Sequence, residues 1–405
     1  MKIVFANKYY YLKGGAERHL FELRALLRSH GHEVIPFAMR DPNNERSEWE
    51  DRFVSPVRTE KVRLTPGGLK TAGRVIYSLE ARRKFASLLD QERPELVHIH
   101  NIYHQISPSI LPEVKRRGLP VVMTAHDYKL VAPNYMLFHH GAICEHTMPD
   151  RFWRAVGHRC VKDSFLASAL EALAMSFHRW RGLYLDNIDR IIAPSRFLAA
   201  LFAEYGIPAR KMVHIPHFVD LTGWTPQPGG EYALFVGRLS AEKGVDVLIR
   251  AAAAVPDVPV HIVGRGPEEG RLKALAEELR VRNVVFRGFL EGASLREEYR
   301  KARFVVIPSV WYEVFGLVAL EAYAAGKPVI ASQLGGLEEV VKDGETGILV
   351  SAGDSNDLAG KMNAFWADAE EARRMGERAR VWVETEFAPE RYYERLMEVY
   401  GELTG

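Results

Sequence analysis

At 405 residues, 47% hydrophobic and 26% charged, the chain has the makeup of a soluble globular protein of two to three domains. No run nears the roughly 20 apolar residues that span a bilayer. The opening MKIVFANKYYYLKGG is too short in apolar residues for a secretory core, and two cysteines make no disulfide framework. Membrane-spanning and disulfide-rich secreted classes are therefore excluded, and a cytoplasmic location is expected. The net charge of +2 hides an asymmetry: residues 1–225 hold 32 Lys and Arg against 23 Asp and Glu, and residues 226–405 hold 22 against 29. The basic half suits an anionic membrane surface or a phosphorylated acceptor. Nucleic acid is not expected, because the basic residues are dispersed instead of forming a stripe.

From the N-terminus, residues 2–7 (KIVFAN) read as a buried strand. An aromatic loop (Lys8 to Lys13), Gly14-Gly15 and a helix from about Ala16 to His30 follow, with Gly31 as its stop. Glu33 to Met39 returns as a strand. Glycines at a helix entrance either seat a phosphate or sugar oxygen on free N–H groups or simply make a tight turn. Without G-x-G-x-x-G spacing both readings stand. Residues 41–73 are polar, with Pro66-Gly67-Gly68 expected as a mobile loop. Arg74 to Leu89 is expected as one amphipathic helix, whose Arg82, Arg83 and Lys84 form a solvated face or a membrane contact. The runs Leu96–His100 and Val121–Thr124 read as strands ending in polar clusters, the first with His98, His100 and Asn101, the second with His126, Asp127 and Tyr128. Ligands of open α/β sheets bind beyond the carboxyl ends of strands, which makes His126 a site candidate. His98 alternates into its strand and is expected to be structural.

Residues 134–186 do not parse as regular α/β. Their mixture of Trp, Phe, Arg and Leu predicts helices with a broad apolar face: a lid, an acceptor channel, an interfacial membrane helix or a packed excursion of the first domain. Cys144, His146, His158 and Cys160 fall here. Four N/S ligands suit a structural zinc, but the spacing matches no C-x-x-C form, two unrelated thiols are the alternative, and no metal is assigned. Asp189 to Ala193 is a further strand, Pro194-Ser195 cap a helix to about Tyr205, and the three prolines and three glycines of residues 213–230 mark a domain boundary.

The second half alternates cleanly. Strands at Tyr232–Val236, Val260–Val263, Asn283–Phe286, Phe304–Ile307 and Pro328–Ala331, with helices between them, predict a doubly wound parallel sheet, and Pro389 to Leu403 an amphipathic helix. After the first of these strands, Arg238 and Lys243 lie five apart across a turn and can converge on one diphosphate, one as a planar fork and one as a point charge. Val263-Gly264-Arg265-Gly266-Pro267 repeats the theme, but Glu269 stands where a dinucleotide fingerprint needs glycine, which counts against an oxidoreductase. Past Phe304–Ile307 a helix is expected from about Val314. Glu313 would lie at its mouth and Glu321 two turns in, with Gly316 admitting a ligand to the unpaired N–H groups. The chain has no D-x-D pair, no G-x-S-x-G elbow and no P-loop. Diphosphate charge then falls to Arg238, Lys243 and helix N-termini, with no cofactor and no obligatory metal.

In that order, GGAE (14–17), TAHDY (124–128), GRLSAEKG (237–244) and EVFGLVALEA (313–322) resemble the family 4 glycosyltransferases of the GT-B fold, over essentially the whole chain. The resemblance implies two Rossmann-like doubly wound α/β domains facing across a cleft. Residues 1–215 would bind acceptor, 216–388 would bind nucleotide sugar, and a helix over 389–405 would cross back to the first domain. It implies retaining transfer from a nucleotide-diphosphate sugar, UDP ahead of GDP, to a glycan or lipid-linked acceptor in polysaccharide or glycolipid synthesis. Glu321 would bond the ribose. Glu313 would bond the donor sugar, with the backbone of Val314, Phe315, Gly316 and Leu317. Arg238 and Lys243, beside Gly237, would hold the diphosphate. Base contacts would run along the backbone near Gly264, Arg265, Phe289 and Leu290. Gly15 would sit near donor and acceptor, His126 beside the transferring sugar, and Gly14, Tyr103, Asp127 and Tyr128 on the acceptor side. Similar sequences carry more cysteines near residues 144–160, where this one has Thr147, which weakens a metal site there. A nucleotide-sugar epimerase or hydrolase using His126 and Asp127 as acid and base, and a non-catalytic nucleotide-sugar-binding subunit, are the alternatives.

Overall fold

The computed structural model describes residues 1–57 and 66–405, with the side chains of 66, 67 and 69 set aside. The chain divides into two compact units: residues 1–137, 144–215 and 393–405, and residues 138–143 with 216–392.

The sheet of the first unit is built on β1 (Lys2–Ala6), β2 (Glu33–Phe37), β3 (Leu96–Ile99) and β4 (Val121–Thr124). In chain order a small antiparallel hairpin follows, β5 (Phe138–His139) and β6 (Ala142–Ile143), and then β7 (Arg190–Ala193) and β8 (Met212–His214). The order β2-β1-β3-β4-β7-β8 is parallel throughout. Every residue of β3 and β4 is buried, as expected for strands covered by helices on both faces. Its helices are α1 (Gly15–Ser29), α2 (Pro66–Ile76), α3 (Leu79–Glu92), α4 (Leu111–Arg116), α5 (Arg154–His158), α6 (Phe165–Trp180) and α7 (Arg196–Glu204).

Two expectations fail here. Pro66-Gly67-Gly68 opens α2 instead of forming a loop, while residues 58–65 of that polar stretch lie outside the described residues. The single helix expected over 74–89 is two, because Ser78 breaks it. Its Oγ accepts from Ala81 N (3.2 Å) as the α3 N-cap, and its own N–H donates to Ser107 Oγ (2.9 Å). A serine side chain that competes for backbone bonds favours caps over helix interiors. No periodicity count registers that choice.

The second unit repeats the plan with β9 (Tyr232–Val236), β10 (Val260–Val263), β11 (Val284–Gly288), β12 (Ala302–Ile307), β13 (Val329–Ser332) and β14 (Gly347–Val350), parallel in the order β11-β10-β9-β12-β13-β14. Strands β8 and β14 escape the sequence reading, since both are short and only partly buried. The helices are α8 (Val245–Ala254), α9 (Glu269–Glu278), α10 (Gly292–Lys301), α11 (Leu317–Ala324), α12 (Leu337–Val340), α13 (Ser355–Ala367) and α14 (Ala369–Glu386). Two apolar clusters pack on the sheet, one including Leu248, Val260 and Met362, the other Val305, Leu320 and Val383.

Helix α15 (Pro389–Thr404) closes the chain, and its residues from Tyr393 onward belong to the first unit. There Tyr400 Oη meets His98 Nδ1 at 2.6 Å and Tyr393 Oη meets His32 Nε2 at 2.9 Å. Among the described residues no helix is long and apolar enough to cross a membrane.

Candidate active site

In the second unit, three loops leave the carboxyl ends of the adjacent strands β10, β9 and β12 and are laced by backbone bonds. Gly237 N donates to Val263 O (3.0 Å), Leu239 N to Arg265 O (3.0 Å) and Val310 N to Glu242 O (2.9 Å). The loops touch so closely that a Cβ on Gly264 would lie 1.8 Å from the Gly237 carbonyl oxygen. That glycine serves the packing of loop on loop.

Glu313 lies buried in the β12 loop and its Oε1 accepts from Lys243 Nζ (2.7 Å) and Ser309 Oγ (2.6 Å). Burial alone would raise its carboxyl. The Lys243 ammonium, with hydrogen bonds from Ser309 and Trp311, outweighs burial and holds it below the ordinary range. The Lys243 ammonium also sits 5.1 Å from the Trp311 ring centre. Two residues that the sequence reading kept apart, one for diphosphate and one for sugar, are thus one ion pair. Arg238 and Arg265 remain exposed, and neither guanidinium makes a hydrogen bond or ion pair among the described residues.

The helix expected from about Val314 starts at Leu317, which corrects the position of the two carboxylates relative to it. Gly316 has φ 120°, outside any helix, and a Cβ there would meet Leu337 Cδ2 at 2.8 Å. The demand on Gly316 is conformational. Val314 and Phe315 precede the helix as buried residues, with Phe315 against His217 (5.3 Å) and Phe387 (5.9 Å). Glu313 is held by a bridge to Gly335, its carbonyl accepting from Gly336 N (2.7 Å). Glu321 is one turn into α11, buried, with Oε2 accepting from Tyr299 Oη (2.5 Å). After β11, Phe289 is exposed and Leu290 packs partly into the core.

In the first unit, Gly14 is the extended N-cap of α1 and Gly15 its first residue. His126 Nε2 lies 2.9 Å from His100 Nδ1, and the rings of His98, His100 and His126 stack with centres 4.6 and 5.2 Å apart. Burial, and then the nearby Lys8 cation, keep His126 well below the usual imidazole range. His98, wholly buried, bonds Thr124 Oγ1 at 2.7 Å. Asp127 Oδ1 accepts from Tyr103 Oη (2.8 Å) and Lys129 N (3.0 Å), and burial raises its carboxyl. Tyr128 is fully buried, so its ring packs in the core instead of offering a surface to an acceptor, and Tyr103 is nearly so.

The model of Glycosyltransferase Family 4 matches residues 13–222, about half of the chain, and that of Glycosyl transferases group 1 matches residues 224–382. The chain belongs to Glycosyltransferase Family 4. Among curated relatives of this family 4 chain, a D-inositol 3-phosphate glycosyltransferase of Nocardia farcinica is 35% identical over 254 residues, covering 55% of the chain and 56% of the relative. An uncharacterized glycosyltransferase of Methanocaldococcus jannaschii is 43% identical over 139 residues, 33% of the chain and 35% of the relative. The chain thus spans about half the length, or less, of these relatives. In fold it is similar to sucrose-phosphate synthase from Thermosynechococcus elongatus (TM-score 0.73, 23% identity, 99% and 98% of the two chains). It is also similar to Anabaena HepE in complex with UDP (0.70, 20%, 99% and 100%). The fold is GT-B.

Two features of this family 4 chain went unread or changed meaning. Beside Tyr103 a cavity opens in the first unit, walled by Phe152, Met175 and Tyr184 and floored by a buried network. There Glu171 accepts from Lys129 Nζ at 2.6 Å and meets His104 Nε2 at 2.8 Å. Burial pulls Glu171 upward, but Lys129 and His104 hold its carboxyl far below the carboxylate range. The one signal for this pair was a lone Lys and a lone Glu inside apolar runs. The Cys/His group does not assemble. His146 and His158 stack at 4.9 Å, both cysteines are free thiols, and among the described residues no three of the four bring ligand atoms together as a metal needs.

Proposed function

We propose that this chain moves a sugar from a nucleotide-diphosphate sugar, UDP ahead of GDP, to a glycan or lipid-linked acceptor, with retention of anomeric configuration and without an obligatory metal or cofactor. The observation that carries the reading is the Lys243–Glu313 pair set among loops whose Arg238 and Arg265 are exposed and uncommitted. A fixed carboxylate suits sugar hydroxyls, and guanidinium groups suit phosphate oxygens. The relatives' names support sugar transfer, and the HepE structures in complex with UDP and with UDP-glucose favour UDP.

In this reading the C1–O bond to the diphosphate breaks as the acceptor oxygen bonds C1 on the same face, and the acceptor proton passes to the departing diphosphate. Arg238 and Lys243 stabilise the charge that grows there. An ammonium carries three N–H donors, so its bond to Glu313 leaves others for phosphate. Glu313 orients the sugar, Glu321 the ribose, and neutral His126 offers a hydrogen bond to a sugar hydroxyl. Gly15 lies near donor and acceptor, Gly14 and Asp127 belong to the acceptor side, and Tyr103 holds Asp127 there through its hydroxyl.

The test screens UDP-, GDP- and ADP-sugars by thermal shift and then measures nucleotide release with candidate acceptors. Release that depends on acceptor, and that Glu313→Gln abolishes, is the expected result. Donor consumed equally without acceptor would point to a hydrolase or epimerase instead.

A further inference from the structure

Helix α6 buries Ala172, Ala174 and Met175, the first and last packed with Phe152, together with Ser168, Glu171 and His178, with Glu171 paired to Lys129 and His178 Nε2 bonded to the Ile76 carbonyl at 2.7 Å. Its outward face carries Leu166, Leu170, Leu173, Phe177 and Trp180, spaced four, three, four and three residues apart, which is one continuous stripe on a helix. Leu173 is 60% exposed, Trp180 77% and the adjoining Phe165 58%. A soluble helix places such a stripe against a core. Here the core-facing side is a different one, made by Ala172, Ala174 and Met175 with the partnered Ser168, Glu171 and His178, so the exposed part of the stripe is surplus to folding.

The charges around the stripe indicate what covers it. Residues 151–185 hold six Lys and Arg against two acids; Glu171 is buried in its ion pair and Arg179 is paired with Asp150, which leaves five cations against Asp163. The ring centres of Trp180 and Trp153 each lie 5.6 Å from the neighbouring guanidinium, of Arg181 and Arg154. Tryptophan beside cations at the rim of an apolar face is the chemistry of a lipid–water boundary. A second copy of the chain is the poorer occupant, because a two-fold contact would set this cationic surface against itself. Anionic headgroups complement it.

We infer that α6 is a membrane-seating face, which lays its Leu166–Trp180 stripe into the outer acyl layer of an anionic bilayer while the flanking arginines meet headgroup phosphates. This goes beyond sugar transfer and does not depend on it.

Flotation of the full chain tests it, using phosphatidylcholine vesicles and vesicles of equal parts phosphatidylcholine and phosphatidylglycerol, at low and high salt. The chain is expected to float with the anionic vesicles at low salt and to be retained in part at high salt, since salt screens headgroup attraction but not apolar insertion. The double variant Leu173→Glu, Trp180→Glu is expected to lower the bound fraction about tenfold or more, with the melting temperature unchanged. Leu166→Gln, a milder change on the same stripe, should weaken binding in the same direction if the double variant proves poorly folded. Absence of flotation at low salt would overturn the inference. So would binding that the stripe variants leave intact, or a dimer in light scattering that those variants dissolve. Flotation reads no sugar transfer, so a chain that binds vesicles but moves no sugar fails only the functional proposal.

Discussion

Lys243 and Glu313 stand 70 positions apart in sequence and 2.7 Å apart in space, and their neighbour Arg238 stands alone. That contrast separates stability from turnover. Replacing Lys243 by Met leaves a buried carboxylate without its cation and is expected to cost about 1–3 kcal/mol, less than a fully buried pair because Lys243 is partly exposed. Arg238→Ala removes no side-chain hydrogen bond or ion pair and is expected to change stability by about 0.5 kcal/mol at most. It should nevertheless lower kcat/KM about a hundredfold through lost diphosphate stabilisation. Denaturant melts and nucleotide-release assays on both variants check this, and full turnover in Arg238→Ala would remove it from the site. The Glu313 carboxyl is held below its ordinary value in the fold. Its stabilisation is therefore present above that value and lost as pH falls through the folded one, and Lys243→Met should flatten that acid limb. Sequence spacing placed both residues in loops beyond strand ends but did not disclose that Lys243 also reaches Glu313. A five-residue interval across a turn says nothing about where the side chains point.

At the level of elements, most strands were legible because buried parallel strands are short apolar runs, and the Ser195 cap of α7 was too, but not every helix start was. Two starts, at Leu79 and Leu317, depend on single residues that a hydrophobic pattern does not weigh: a serine that caps and a glycine at positive φ. Gly316→Ala should cost about 2 kcal/mol or more, from backbone strain together with the contact against Leu337. A urea melt reads it, and a wild-type midpoint would mean the turn tolerates a side chain. The histidine stack gives β3 a pH response. His98 titrates at about 3 in the fold against an ordinary value near 6.5, so between those limits the unfolded chain binds the extra proton and stability falls as pH drops. The slope is about 1.4 kcal/mol per pH unit for one such group. His98→Asn should shrink the loss of stability between pH 7 and 5 by about 2 kcal/mol, which melts across that range would show.

For the molecule as a whole, the alternation of strands and helices disclosed two parallel sheets. The destination of the last helix came from family resemblance alone, because an amphipathic face does not name what it packs on. Each unit has its own core, and the proposed ribose and diphosphate contacts, Glu321, Arg238 and Lys243, lie in the second. Saturating UDP at about 100 times Kd should therefore add about 2.7 kcal/mol to the unfolding of that unit. Calorimetry, with Gly316→Ala marking the second unit's transition, checks the assignment, and a shift confined to the other transition would place UDP elsewhere. The partnership of His98 with Tyr400 also bears on how the protein is made, because the two residues lie 302 positions apart. A ribosome adding ~5–20 residues each second needs roughly 15–60 seconds to pass from one to the other. Throughout that interval the nascent first unit lacks the residue that bonds its buried histidine, so the first unit is completed only after the whole second unit has been made.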